Sequence, residues 1–232
     1  MSLAVPLLQS QIEAAQRLYA RLDMWRATNV AFNMLRQALP GFDLHAVLIK
    51  AAAVNQLYGT NVYAIVRMAQ HISRIMDRRG DTPADLSLVE EFAKLRDYAE
   101  DGEARRHLSF ASKFAHFFIS DELFPIYDSY AAMTLSYHLR GRAVAPDTAP
   151  PYAEYIADLN ALQEQAGIFC SGIDLDAYLW LAGLYMEWRK SGTKDKQPKI
   201  NREVRELFAQ DRVAAELKDL LPMMPGKLSY GR

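Results

Sequence analysis

The sequence has little of several features that commonly mark a protein class. It contains one cysteine among 232 residues, so no internal disulfide can form and a reducing compartment is expected. Residues 1–6 lack the charged start and the long apolar run of a secretory signal. No apolar stretch approaches the roughly 20 residues that span a bilayer. Together these absences predict a cytoplasmic protein.

The sequence also has almost no excess of either charge, because its formal net charge is -1. Without a global basic field, contact with duplex DNA would depend on local patches. One patch is formed by Arg74, Arg78 and Arg79. A second is formed by Lys190, Lys194, Lys196, Lys199, Arg202 and Arg205. Solvated surface is the alternative interpretation of both, because acidic residues are interspersed in the second patch.

The common nucleotide-binding and metal-binding motifs are missing. Neither Gly-x-x-x-x-Gly-Lys nor Gly-x-Gly-x-x-Gly occurs in the sequence. Its five histidines are scattered, with no His-x-x-x-His pair and no His-Glu-x-x-His. We therefore expect no bound metal and no cofactor.

Helix signals are abundant, whereas alternating strand patterns and hairpin turns are scarce. The pattern predicts an all-α fold of about nine to ten helices in a compact, two-lobed array. The predicted helices cover about 6–39 (one long or broken helix), 43–58, 61–79, 84–99, 105–119, 126–139, 152–165, 174–189, 201–209 and 211–220. The helix after Asp43 is apolar nearly all round, so we expect it to be central.

The chain is expected to form a single helical unit over residues 1–232. A further subdivision would place one lobe at 43–140 and the other at 1–42 with 152–232. The longest irregular stretch, 140–151, contains one glycine and three prolines and is the best candidate for a hinge. The oligomeric state is not indicated.

The most informative segment is residues 107–130, HLSFASKFAHFFISDELFPIYDSY. Its helix is apolar except at Ser109, Ser112, Lys113 and His116, which recur at three- and four-residue steps. These four residues, here called the polar stripe, share one face of the helix. A helix that is apolar on its other sides belongs in the interior, so the polar stripe must face a cleft, a partner or a satisfied network.

Lys113 and Asp128 are the candidate catalytic pair. Partial removal from water disfavours the ammonium form of a lysine and favours the neutral, nucleophilic amine. The alternative is that Lys113 reaches the surface or pairs with a carboxylate. Asp128 lies at the start of the next helix, where a capping role is the plain interpretation. The same carboxylate could also be aimed at Lys113.

This pattern resembles the helix-hairpin-helix DNA glycosylase superfamily, which includes the 8-oxoguanine glycosylases. That family has a lysine at the start of a helix, an alanine two residues later, and a Pro-hydrophobic-Asp element opening the next helix. Lys113 matches the Schiff-base lysine, Ala115 the small packing residue and Asp128 the catalytic carboxylate. The resemblance covers about residues 43–139, with Gln56 where the family often has a glutamine.

The resemblance implies base excision from DNA. Lys113 would attack the sugar of a flipped nucleotide as its damaged, for example oxidised, base leaves. Asp128 would support the developing positive charge. Substrate-binding residues would include His116, Phe114, Tyr127 and Gln56. For the aromatic residues the alternative is a place in the core, and for the histidine a structural hydrogen bond.

Two departures from the family pattern support a different function. The family has Leu-Pro-Gly-x-Gly before its lysine, where glycines let backbone amides approach a DNA phosphate. This chain has no glycine in 108–112. It also has one extra residue, Tyr127, before Asp128. The alternative is therefore a non-catalytic helical binding module that retains the scaffold without the DNA grip.

Overall fold

A computed structural model describes residues 2–95, 105–143, 149–191 and 200–222. Within these residues the chain is helical apart from one short strand pair, which confirms the all-α class. The helices are α1 Gln9–Tyr19, α2 Asp23–Ala38, α3 Leu44–Tyr58, α4 Ile65–Arg79, α5 Ser87–Ala93, α6 Leu108–Phe118, α7 Ser129–Arg140, α8 Tyr152–Ala166, α9 Gly172–Ser191, α10 Arg202–Phe208 and α11 Ala214–Leu220. A 3-10 turn, Asp211–Val213, precedes α11.

The chain divides into two units by its internal contacts. Unit one comprises the described residues of 1–26, 128–150 and 154–232, and unit two comprises those of 27–127 and 151–153. In unit one, α9 contacts α1, α7 and α11, and α1 also contacts α11. In unit two, α3 contacts α4 and α6, while α5 contacts α4 and α6.

The core of unit one includes a hydrogen-bonded polar network. His138 and Tyr178 are both fully buried, and the histidine Nε2 lies 2.6 Å from the tyrosine hydroxyl. The other histidine nitrogen, Nδ1, lies 2.9 Å from the carbonyl oxygen of Val5, so it carries the proton. Gln11 donates to the same hydroxyl at 2.9 Å and to the carbonyl of Leu220 at 3.0 Å. The network links α1, α7, α9 and α11.

The core of unit two is aromatic. Phe114 on α6 packs edge-on against Phe92 on α5, with ring centroids 5.7 Å apart. On another side of α6, Phe117 stacks on Phe32 of α2 at 4.3 Å. Phe32 is the one buried residue of α2, so this stack attaches the helix to unit two.

The sequence predicts divisions near residues 42 and 140, and the internal contacts of the chain divide it at 26/27, 127/128, 150/151 and 153/154. The Phe32 contacts bring most of α2 into unit two. In the same way, packing on α9 brings α7 into unit one.

The first predicted helix is broken, which was one of its two predicted forms, because the chain turns between Tyr19 and Asp23. This break raises the helix count to eleven in the described residues. The prediction that α3 is central is wrong, because Ile49 is 51% exposed and Leu57 is 45% exposed. Burial is confined to one face, which carries Val47 and Val54.

Two predicted helix ends are strands instead. Lys94–Leu95 (β1) pairs antiparallel with Arg105–Arg106 (β2). The predicted helices 84–99 and 105–119 are accordingly shortened to α5 and α6. The end of the predicted helix 84–99, the middle of the predicted hinge, and Lys194, Lys196 and Lys199 lie outside the described residues.

Candidate functional site at helix α6

Helix α6 is the most apolar segment of the candidate site, and it is buried as the sequence predicts. Nine of its residues are buried, including Ser112 and Lys113 of the polar stripe. Lys113 is 3% exposed, which excludes the interpretation that its side chain reaches bulk solvent. Because a buried ammonium is costly without partners, its contacts define the site.

The Lys113 amine lies against the backbone of the segment that follows α6. Its Nζ donates to the hydroxyl of Ser109 at 2.7 Å and to the carbonyl oxygen of Tyr127 at 3.4 Å. The ring of Tyr58, on α3, lies 5.5 Å from the amine, which is within the range of a cation–π contact. The polar stripe therefore faces a built polar environment inside unit two.

Ser112 fixes the same residue from its other side. Its hydroxyl accepts a hydrogen bond from the Tyr127 N–H at 3.0 Å and donates within the helix to the carbonyl of Ser109 at 3.3 Å. Tyr127 thus has its N–H and its carbonyl oxygen held by two adjacent residues of α6. This is a precise backbone clamp one residue before Asp128.

His116 holds the start of that segment. Its Nδ1 lies 3.0 Å from the carbonyl oxygen of Phe124, so this nitrogen carries the proton. Burial lowers the pKa of His116, and the Phe124 carbonyl and Asp121 only partly offset that effect. The histidine is therefore neutral and structural in this arrangement, with Nδ1 committed to the backbone.

A residue distant in sequence holds the middle of the segment. The hydroxyl of Tyr152 donates to the carbonyl oxygen of Pro125 at 2.6 Å. Its backbone N–H donates to the Glu90 carboxylate at 2.7 Å, and Arg106 also binds that carboxylate at 2.6 Å. Residues 124–127, here called the clamped segment, therefore have three carbonyl groups bound by side chains.

Asp128 begins α7 as its N-cap. Its Oδ1 accepts hydrogen bonds from the N–H groups of Tyr130 at 2.8 Å and Ala131 at 3.4 Å. The predicted capping role is thus present. Asp128 is the first residue of its stretch in unit one, whereas Lys113 belongs to unit two. The catalytic pairing of these two residues stays a prediction.

The predicted substrate-binding residues occupy different environments. Phe114 is fully buried and Tyr127 is 5% exposed, so the core alternative describes their present packing. Gln56 is exposed on α3, whereas His116 faces Phe124. The structure brings Lys113, His116 and Tyr127 to one segment, and the proposed substrate contacts remain predictions.

The place of the family's glycine hairpin is helical in this chain. Residues 108–112 form the first turns of α6, and His107 alone separates them from strand β2. Lys113 consequently lies in the second turn of its helix, whereas the resemblance implies a lysine at a helix start. Side chains at Phe110 and Ala111 are buried, so this turn is committed to packing.

Sequence reasoning missed Tyr152, Glu90 and Tyr58 as parts of the site. Tyr152 follows the consecutive prolines at 150 and 151 and carries no recognisable motif. Its partner Pro125 is 27 positions away. A local pattern cannot reveal such a contact, because it depends on how distant elements pack.

Ion pairs occupy several arginines of the two predicted basic patches, so only part of each patch could contact DNA. Arg79 is 14% exposed at its side chain and pairs with Glu91 and Asp85. Arg78 is more exposed and also pairs with Glu91, at 3.3 Å. Arg202 pairs with Glu206 at 2.7 Å. These ion pairs reduce the positive charge that DNA could meet.

Two other kinds of site are absent from the described residues. No three histidine, cysteine or acidic side chains there come together in a metal-binding group. No helix in that part of the chain combines the length and the apolar character needed to cross a membrane.

Comparison with known protein families matches the first part of the chain. The model of a family described as HI_0787_N, an N-terminal domain, matches residues 9–122. The match covers just under half of the chain, from the start of α1 past the end of α6, so it includes Lys113 and stops before Asp128. No curated protein and no solved structure matches the chain.

Proposed function

We propose that the chain is a DNA glycosylase-like protein that excises damaged bases through a lysine nucleophile. The observation that carries this proposal is the burial of Lys113, whose amine is held by Ser109 and by the carbonyl of Tyr127. A lysine withdrawn from water and fixed by a shaped environment has the properties of an amine nucleophile. The helical scaffold and the Lys113 to Asp128 pattern give further support.

The proposed reaction assigns one role to each residue. The neutral amine of Lys113 bonds to C1′ of the sugar, and the bond from C1′ to the base breaks with its electrons leaving on the base. The departing base takes up the proton that the Lys113 nitrogen loses. The bond from C1′ to the ring oxygen O4′ then breaks, O4′ takes up a proton to become a hydroxyl, and a Schiff base forms between C1′ and the Lys113 nitrogen. Asp128 supports the positive charge that develops on the sugar.

Borohydride trapping tests this proposal, because hydride reduces a Schiff base to a stable amine. The wild-type protein is incubated with duplexes that carry oxidised or deaminated bases. We expect a covalent protein–DNA adduct that is lost in Lys113→Gln. The matched control is Lys50→Gln, because Lys50 is a second buried lysine of unit two, 1% exposed, and its loss should leave the adduct intact.

The alternative proposal is a non-catalytic helical binding module. It is favoured by residues 108–112, which are helical and contain no glycine, and by the ion pairs that occupy the basic patches. Fluorescence anisotropy with the same duplexes separates the two proposals. The enzyme should bind DNA with an affinity that falls steeply as salt rises. If the protein neither binds any duplex of the lesion panel nor forms an adduct with it, the binding-module proposal is the one that remains.

A further inference from the structure

We infer that Tyr152 is a positioning residue for Lys113, acting through the clamped segment 124–127. The inference rests on the proposed function for its catalytic meaning, but its structural part stands on contacts within unit two. Tyr152 is fully buried, and both its hydroxyl and its backbone N–H are bound in that unit.

The first step is the connection from Tyr152 to the clamped segment. The phenol donates to the carbonyl oxygen of Pro125 at 2.6 Å. Pro125 has a fixed φ and no N–H group, so its carbonyl is the one backbone group through which a hydrogen bond can hold it. Removal of the phenol hydroxyl would leave that carbonyl without this donor and free the middle of the segment to move.

The second step is the connection from the segment to the amine. Two residues after Pro125, the Tyr127 carbonyl accepts from the Lys113 Nζ at 3.4 Å, and the Tyr127 N–H donates to Ser112 at 3.0 Å. The position of the amine and the position of this backbone are therefore coupled. A shift of the segment would change the distance of 3.4 Å, which is already long for a hydrogen bond.

The third step is the anchoring of Tyr152 itself. The Tyr152 N–H donates to the Glu90 carboxylate at 2.7 Å. Arg106, on strand β2, binds the same carboxylate, with 2.6 Å between its Nη2 and the Glu90 Oε1. The backbone pairing of β2 with β1 fixes Arg106 in turn. The tyrosine is thus held at its backbone and its hydroxyl, as a rigid support for the clamped segment requires.

The test compares Tyr152→Phe with Tyr178→Phe. Both substitutions remove one buried, hydrogen-bonded hydroxyl, but Tyr178 lies in unit one and bonds to His138. The two variants should lose similar stability. With lysine side chains labelled with nitrogen-15, the Lys113 resonance is assigned through its absence in Lys113→Arg.

In Tyr152→Phe we expect the Lys113 amine resonance to move and the Tyr127 amide to exchange about five- to tenfold faster. Neither change should occur in Tyr178→Phe. Glu90→Gln perturbs the anchor of Tyr152 and should give a smaller change of the same kind, which keeps the test decisive if Tyr152→Phe does not fold. Unchanged Lys113 and Tyr127 signals in a folded Tyr152→Phe, or in Glu90→Gln if it alone folds, would overturn the inference.

The catalytic part has its own readout. If the wild-type protein forms the trapped adduct, Tyr152→Phe should slow adduct formation under single-turnover conditions while its dissociation constant for the duplex stays unchanged. If the wild-type protein forms no adduct but the amine resonance moves, the proposed activity fails and the positioning role remains. An unchanged trapping rate together with unchanged resonances would reject the positioning role alone.

Discussion

Two lysines of unit two are buried, and their partners differ in kind. Lys50 donates to the carbonyl of Gly41 at 2.7 Å, and its amine lies 4.4 Å from the ring centre of Phe42. Burial lowers the pKa of Lys50, with a partial offset from Asp43. Gly41, Phe42 and Asp43 all lie in the turn that precedes α3, so Lys50 stabilises that turn. Lys113 instead binds the carbonyl oxygen of Tyr127, the residue before Asp128.

At the residue scale, Asp128 allows capping to be separated from charge. Asparagine caps helices about as well as aspartate, whereas alanine cannot cap. We expect Asp128→Asn to keep nearly wild-type stability and Asp128→Ala to lose about 1 kcal/mol. Urea denaturation measures both.

The same pair of variants tests the catalytic role of Asp128. If its charge supports the reaction, Asp128→Asn should slow adduct formation by about 100-fold or more in spite of its intact cap. Equal trapping rates for wild type and Asp128→Asn would reduce the residue to a cap. Asp43→Asn is the matched control, because Asp43 caps α3 through the N–H groups of His45 and Ala46.

At the element scale, one glycine permits the close crossing of α7 and α9. A Cβ added to Gly183 would lie 2.8 Å from the Cβ of Tyr130 and closer still to its carbonyl group. Beside this crossing, the Thr134 hydroxyl donates to the carbonyl of Leu179 at 2.8 Å. At this crossing the backbones of the two helices are therefore in direct contact.

We predict that Gly183→Ala destabilises unit one by about 1–3 kcal/mol, because backbone must shift to admit the methyl group. Thermal unfolding followed by circular dichroism measures the loss. Gly172→Ala in the same helix is the control, since a Cβ there meets nothing within 4 Å. A Gly183→Ala protein as stable as the Gly172→Ala protein would contradict the crossing described here.

Much of the element pattern could be predicted from the sequence, because its signals are local. Asp43 and Gly59 bound α3 as predicted, through a side-chain cap and a left-handed C-cap. The break between α1 and α2 has no glycine or proline to announce it. The strands β1 and β2 have two residues each, which is too short for a periodic pattern to register.

The candidate site could be predicted only in part, for a related reason. The polar stripe and the interior position of its helix follow from helical spacing, whereas the pattern left open whether Lys113 is buried or reaches the surface. The contacts around the stripe could not be predicted, since Tyr127 meets Lys113 through loop geometry and Tyr152 meets Pro125 through long-range packing. The exposed face of α3 escaped prediction because an apolar composition does not specify which side is covered.

At the scale of the whole molecule, each unit contains a histidine whose pKa is lowered by burial, His116 in unit two and His138 in unit one. In the unfolded chain both would titrate near pH 6.5. Between that value and the lower folded pKa, the unfolded chain binds more protons than the native protein. Stability is therefore fully present above about pH 6.5 and declines as pH falls below it.

We predict that the urea midpoint falls between about pH 7.5 and about pH 5. His138 is the more constrained of the two, because its Nδ1 donates to the carbonyl oxygen of Val5 and its Nε2 accepts from the Tyr178 hydroxyl. The change of the urea midpoint with pH should be the same in His45→Gln as in wild type, since the His45 side chain is 95% exposed. A midpoint independent of pH would contradict neutral, buried histidines.

The division of the chain into interleaved stretches has a consequence for its synthesis. Most of unit two is one continuous stretch, 27–127, but α1 of unit one packs on α9 and α11, which the ribosome makes only after unit two is complete. When α1 emerges, its final neighbours do not yet exist, and its apolar face must wait for more than a hundred further residues. Newly made α1 therefore exposes its apolar face until α9 has been synthesised.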